Sequence, residues 1–177
     1  MSLASEVIAA ATARDIRIAT AESLTGGLLA DALVSIPGAS RAFSGGIVAY
    51  DTALKASLLG VDPAQLARTG PVDERVARQM AEGARRACAV PRTGAIAGDA
   101  VPAEIGVATT GVAGPDPDPQ TGLPAGAVWI GVSSAAGSRA VRLDAEGDRA
   151  AIRGAAVHAA IRELASELGI SLVFPNT

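Results

Sequence analysis

The chain has 177 residues, of which 49% are apolar and 19% charged, with a formal net charge of −3; this excludes a disordered polyelectrolyte and offers no global electrostatic reason to bind nucleic acid. Its length fits one domain with a full core, and a single cysteine, Cys88, excludes an intramolecular disulfide framework and points to a reducing compartment. Every apolar run is too short to span a bilayer and the N-terminus lacks the basic flank of a secretory signal, so a soluble, cytoplasmic protein without membrane contact is expected.

Taken in chain order, the elements alternate. Residues 3 to 14 place Leu3, Val7, Ile8 and Ala11 at helical spacing, with Ser2 or Ser5 as cap. A short strand over 17–20 leads to a turn over 21–27 and a helix over 28–36 that Pro37-Gly38 stops. A strand over 43–50 is followed by a helix capped by Asp51 and ended by Gly60, then by a helical turn opened by Pro63. Residues 72–89 form a longer amphipathic helix. The segment 91–104 has little periodicity and reads as a surface loop, preceded at most by a strand end. A third strand covers 105–110, and the Gly/Pro-rich stretch 111–126 reads as loop. Residues 127–133 and 140–143 predict a hairpin turning at Ala136-Gly137, and a last helix runs from about 148 to 168. The pattern predicts an α/β fold, a three-layer α/β/α sandwich on a mixed sheet in a single domain.

Composition singles out two residues. The chain has fourteen arginines but one lysine, Lys55, and its only tyrosine, Tyr50, lies five positions before it. Arginine can replace lysine where only charge matters, but it stays protonated and cannot serve as a base. Lys55 is therefore a candidate general base and Tyr50 a candidate relay; the competing reading of Lys55 is a surface residue spared by drift. A Tyr–Lys pair also occurs in short-chain dehydrogenases, but those need three intervening residues in one helix and a glycine-rich dinucleotide loop, and this chain has neither.

Other segments carry chemistry. Ser23-Leu24-Thr25-Gly26-Gly27 sets a hydroxyl and backbone amides near a helix start, suited to an oxyanion, to a phosphate, or simply to capping. Gly45 and Gly46 inside a strand point to close approach of another backbone or a ligand. Thr109-Thr110-Gly111 ends a strand in small residues, and the Asp116-Pro117-Asp118-Pro119 loop reads as a lid or an exposed turn. No histidine or further acid accompanies the two aspartates at metal-ligand spacing. Arg149 in a first helical turn opposes the helix dipole, which fits either a carboxylate- or phosphate-binding role or a solvated bystander beside the Asp148 cap. His158 reads as an ordinary helix residue, Trp129 as core and Cys88 as buried.

Five segments together, TAESLTGG (20–27), FSGGIVAY with DTALKASLLGV (43–61), TTGVAGP (109–115), PAGAVWIGV (124–132) and GDRAAIR (147–153), resemble the CinA C-terminal domain family in the family's own order. Members of that family also occur alone as nicotinamide-nucleotide amidases, and the chain resembles this stand-alone form. The resemblance implies hydrolysis of nicotinamide mononucleotide to nicotinate mononucleotide and ammonia, with no cofactor and no metal. It implies Ser23 as nucleophile, Lys55 as its general base and Tyr50 as a partner in proton transfer. It assigns Thr25, Gly26, Gly45, Gly46, Thr110, Gly111 and Arg149 to the substrate site, and it implies a homodimer or larger homo-oligomer. The chain departs from the family pattern at Leu24, where many members have cysteine, at Asp73, where serine is usual, and in a longer 91–108 segment. The alternative is a catalytically silent nucleotide-binding regulatory module of the same fold, followed by a purely structural partner protein.

The implied mechanism makes one physical demand. A free lysine is neutral in only about one molecule per few thousand at pH 7, so the base needs burial or neighbouring cations, Arg149 among them, to lower its pKa.

Overall fold

The computed structural model describes residues 2–91 and 98–171. Its central sheet has the order β2-β1-β5-β6-β7. Strand β1 (Ile18–Glu22) lies between β2 (Phe43–Val48) and β5 (Ile105–Gly111) and runs parallel to both, whereas β6 (Ala127–Ser134) and β7 (Gly137–Asp144) close the sheet as an antiparallel hairpin on β5. This is the mixed sheet that the alternating pattern predicts.

Helices cover both faces. Helices α1 (Leu3–Ala13), α2 (Leu28–Val34) and α6 (Arg149–Glu167) bury Val7, Leu29, Leu33, Ile152 and Leu164 against Ile18, Val107 and Ile130. The opposite face holds α3 (Thr52–Leu59), α4 (Pro63–Thr69) and α5 (Glu74–Ala87), whose Leu59, Leu66, Val76 and Met80 meet Ala19, Ala21 and Ala108. Alternation along β1 and β5 therefore gives one face large aliphatic side chains and the other mostly alanine and glycine. The small-residue face lets α5 approach closely: a Cβ on Gly106 would lie 2.1 Å from the Ala81 carbonyl oxygen, and one on Gly131 2.0 Å from that of Ala77. Small residues on this face are thus a packing requirement, and each large aliphatic side chain buried on the other face contributes about 1.5–3 kcal/mol.

Helix starts follow the sequence closely. Ser2, Asp51, Asp62, Asp73 and Asp148 cap α1, α3, α4, α5 and α6 through side-chain oxygens, and Pro63 occupies the first turn of α4. Asp73 accepts from the Arg75 and Val76 amides.

Four expectations are corrected. Ala21 and Glu22 belong to β1, not to the following turn, because they pair with Ile47 and Val48 on one side and with Ala108 and Thr109 on the other. Strand β2 ends at Val48, so Tyr50 lies beyond it. The 91–104 segment is not all loop: β3 (Val90–Pro91) and β4 (Ala100–Val101) form a two-residue antiparallel ladder, while residues 92–97 of that expectation lie outside the described residues. Trp129, expected in the core, is half-buried on β6, and His158 is exposed on α6. Among the described residues, no helix is long and apolar enough to cross a membrane.

The parallel strands β1, β2 and β5 end at the same edge. After them the chain turns toward opposite faces, to α2 after β1 and to α3 after β2. Sites in open α/β sheets lie at such a strand-end crevice.

Candidate active site

Ser23 follows directly on β1, and its amide donates to the Thr109 carbonyl at 3.0 Å, which holds it against the end of β5. From the other face, α3 brings Lys55 under the same edge. Lys55 Nζ donates to Ser23 Oγ at 3.0 Å and to the Ala49 carbonyl at 2.8 Å, and the side chain is only 1% exposed. Burial lowers its pKa from 10.5 to about 8, against the opposing pull of the Asp51 carboxylate. At pH 7 that leaves about a tenth of the molecules with a neutral amine, several hundred times the fraction of a free lysine. The lowering is due to burial; Arg149, expected to assist, has its guanidinium engaged elsewhere.

Arg149 stands in the first turn of α6 and donates to the Tyr50 hydroxyl oxygen at 2.8 Å and to the Gly114 carbonyl at 2.9 Å. It ties the β2–α3 connection to the loop after β5. Tyr50 is exposed, and among the described residues its hydroxyl bonds to Arg149 and not to Ser23 or Lys55. Thr110 donates its hydroxyl to the Pro71 carbonyl at 2.6 Å.

These residues line one open cavity of about 430 Å³, with Ser23, Tyr50, Lys55, Thr110, Gly111 and Arg149 around it. Leu24, Pro71, Val72 and residues 112–114 complete the wall, and Asp116 to Pro119 form the rim. The rim is pinned: Asp118 accepts from the Gln120 and Thr121 amides, and the Gln120 side chain donates to the Leu66 and Ala67 carbonyls at the end of α4. Of the two readings of that loop, the pinned geometry fits an anchored turn. Among the described residues, no group of three or more His, Cys, Asp or Glu is placed to hold a metal ion.

Four residues expected at the substrate site are not in the wall of this cavity. Gly45 and Gly46 sit inside β2, opposite Ala19 and Thr20, and are not in the cavity wall. What approaches Gly46 is a side chain, since a Cβ there would lie 2.3 Å from Thr20 Oγ1. Thr25 is buried, its hydroxyl 2.7 Å from that of Thr109, and Gly26 makes its turn with a positive φ of 58°. Both belong to the Ser23 turn, where the Thr25 side chain packs against Thr109 and only their backbone is near Ser23.

The turn also revises where an oxyanion can be held. The buried Glu22 carboxylate accepts from the Gly27, Leu29 and Ala30 amides at 2.9–3.0 Å, and the Gly26 amide donates to the Ser23 carbonyl. The glycine amides are therefore occupied, and Glu22 supplies the negative charge that the start of α2 favours. Sequence reasoning missed Glu22; its signal is an acid just before a Ser/Thr/Gly turn that opens a helix. Cys88 is half-buried with its pKa raised by burial, which keeps it a thiol.

A family model described as the CinA C-terminal domain matches residues 1–168. The chain belongs to the CinA C-terminal domain family. A CinA-like protein of Frankia casuarinae is 46% identical over 162 residues, covering 90% of this chain and 34% of that protein. A putative competence-damage inducible protein of Lacticaseibacillus casei is 44% identical over 132 residues, 75% of this chain and 28% of the relative. The chain thus spans about a third of the length of the curated relatives it matches. Among solved structures, a CinA superfamily protein from Klebsiella pneumoniae 700603 superposes with a TM-score of 0.81 at 30% identity, covering 94% of this chain and 96% of that one. The competence/damage inducible protein CihA of Agrobacterium tumefaciens gives 0.80 at 32% identity, with 94% and 93% covered. The CinA fold accounts for the mixed sheet and both helical layers.

Proposed function

We infer that this CinA-family domain is a Ser–Lys amidase that hydrolyses nicotinamide mononucleotide to nicotinate mononucleotide and ammonia. The observation that carries the reading is the contact of a buried, pKa-lowered Lys55 with Ser23 Oγ at 3.0 Å, at the floor of an open cavity. A lysine buried without a carboxylate partner on its Nζ is destabilising as an ammonium, and that cost is tolerated where the neutral amine has work to do.

In the proposed reaction neutral Lys55 takes the proton of Ser23, and Oγ attacks the carboxamide carbon to form a C–O bond and a tetrahedral oxyanion. The C–N bond then breaks and ammonia departs with a returned proton. Water, deprotonated by Lys55, hydrolyses the resulting ester and releases the carboxylate. The substrate's pyridinium draws electrons from the amide carbon and lowers the barrier to attack. Because Arg149 donates to the Tyr50 oxygen, the Tyr50 hydroxyl keeps its own proton to offer, which suits a role in protonating the departing ammonia. Arg149 also retains further N–H donors at the cavity wall for an anionic group such as the 5′-phosphate.

Ammonia release from nicotinamide mononucleotide, measured for the wild type, Ser23→Ala and Lys55→Arg, tests this reading. Turnover by the wild type and its loss in both variants is the expected result. A wild type that binds the nucleotide tightly and releases no ammonia supports the silent binding module instead.

A further inference from the structure

The turn that carries Ser23 is gripped from two sides by charged side chains that take no proton in the proposed chemistry. One is Glu22, described above. The other is Arg153, half-buried on α6, whose Nε donates to the Leu24 carbonyl at 2.9 Å and whose Nη2 donates to the Thr25 carbonyl at 2.9 Å. Ser23 N–H goes to Thr109, Gly26 N–H to Ser23, and Leu28 N–H to Thr25; Gly27, Leu29 and Ala30 donate to Glu22. All three carbonyls of residues 23–25 are thus engaged, whereas the amides of Leu24 and Thr25 have no partner among the described residues.

Peptide planarity converts this pattern into a direction. In a trans peptide the N–H lies opposite the preceding carbonyl, so fixing the Leu24 carbonyl fixes the Thr25 N–H on the far side of the same plane. The Gly26 bond to the Ser23 carbonyl does the same for the Leu24 N–H. Arg153 approaches from α6, so the Thr25 amide it sets is directed away from α6. Leu24 lines the cavity beside Ser23, and the amide after a nucleophilic serine is a recurrent oxyanion donor.

We propose that Arg153 is a positioning residue for acyl transfer at Ser23: its hold on the Leu24 carbonyl sets the Thr25 amide, and its hold on the Thr25 carbonyl sets the Gly26 amide that in turn fixes the Ser23 carbonyl and so the Leu24 amide, leaving the Leu24 and Thr25 amides placed as oxyanion donors. The inference rests on the reading of Ser23 as nucleophile. Lysine cannot substitute, because one ammonium head does not reproduce the rigid fork that spans two successive carbonyls.

A fluorophosphonate probe tests the role without relying on any natural substrate. In the labelling step a Ser23 Oγ–P bond forms, the P–F bond breaks, fluoride leaves and the serine proton passes to Lys55, while the phosphonyl oxygen takes the place of the oxyanion. Labelling rates are followed by intact mass for the wild type, Ser23→Ala, Arg153→Lys and Arg153→Ala, each confirmed folded by circular dichroism. The wild type is expected to label and Ser23→Ala not to. Arg153→Lys is expected to label at least about tenfold more slowly and Arg153→Ala about a hundredfold, the size of losing an oxyanion donor, with partial rescue of Arg153→Ala by added ethylguanidinium. The pH midpoint of labelling stays near 8, because Lys55 is untouched. Wild-type rates in both variants overturn the proposal, as does a displaced midpoint, which would mean that Arg153 acts on the base. If Arg153→Ala does not fold, Arg153→Lys carries the test. A wild type that labels at Ser23 but releases no ammonia from nicotinamide mononucleotide overturns the substrate assignment alone; one that does not label overturns both.

Discussion

The Arg149 guanidinium donates to the Tyr50 hydroxyl at 2.8 Å, joining residues 99 positions apart across the mouth of the cavity. The bond fixes the phenol oxygen as an acceptor and leaves its hydrogen as the group's one donor. Tyr50→Phe removes that donor without opening a core cavity, because Tyr50 is 59% exposed. Turnover of nicotinamide mononucleotide is expected to fall about a hundredfold, as for loss of a general acid, with stability changed by less than about 0.5 kcal/mol. Steady-state ammonia release together with urea denaturation checks both halves, and a variant with unaltered kcat removes Tyr50 from the chemistry.

In the proposed mechanism Lys55 sets the pH dependence. Only the neutral amine can accept the Ser23 proton, so kcat/KM is expected to rise tenfold per pH unit through acid and neutral pH and to level off above a midpoint near 8. Lys55→Arg is expected to abolish turnover at every pH, because the guanidinium remains charged. A pH–rate profile of both proteins is the measurement; retained activity in Lys55→Arg would remove the general-base assignment.

Much of this site could be read from the sequence because the signals were compositional or local. A lone lysine among fourteen arginines stood out, and the Asp51 cap with the Gly60 stop placed it on α3. Its partner Ser23 is named only through the family resemblance, because a serine before a helix start reads first as a cap. Other features depend on long-range packing and leave no such trace. Glycines in a strand announce a close approach but not what approaches, and at Gly46 it is Thr20 rather than a ligand. Glu22 reads locally as a turn residue, but pairing with two parallel neighbours places it in β1. Arg153 lies one helical turn beyond Arg149, a spacing that puts both on one face of α6, yet only the fold reveals that one reaches Tyr50 and the other the Ser23 turn. The β3–β4 ladder has two residues per strand, too few for any periodicity.

The Gly46–Thr20 contact can be tested separately from catalysis. A Cβ at Gly46 would stand 2.3 Å from Thr20 Oγ1, on a buried, β-branched side chain with little room to turn. Gly46→Ala is expected to destabilise the protein by about 1–3 kcal/mol through overpacking, while the KM for the nucleotide remains unchanged. In a Thr20→Ala background the same substitution should cost much less, a coupling that a double-mutant cycle in urea resolves. Additive effects would place the strain elsewhere, and a raised KM would return Gly46 to the substrate site.

The burial that tunes Lys55 must also appear in stability. The folded protein holds this amine with a pKa of about 8, against 10.5 when exposed, so between those values the unfolded chain binds the additional proton. Stability contributed by this group is therefore lowest below pH 8 and is regained as pH rises toward 10.5. The penalty at neutral pH is on the order of 3 kcal/mol. Lys55→Met removes the titration but keeps an unbranched apolar stem. Whatever its absolute stability, its advantage over the wild type is expected to shrink by on the order of 3 kcal/mol between pH 6.5 and 10.5, because only the wild type carries the buried ammonium. Urea midpoints of the two proteins across that range measure the difference directly. A difference that does not vary with pH would mean that Lys55 is hydrated in the folded state, and the proposed base would then lose the burial that makes it one.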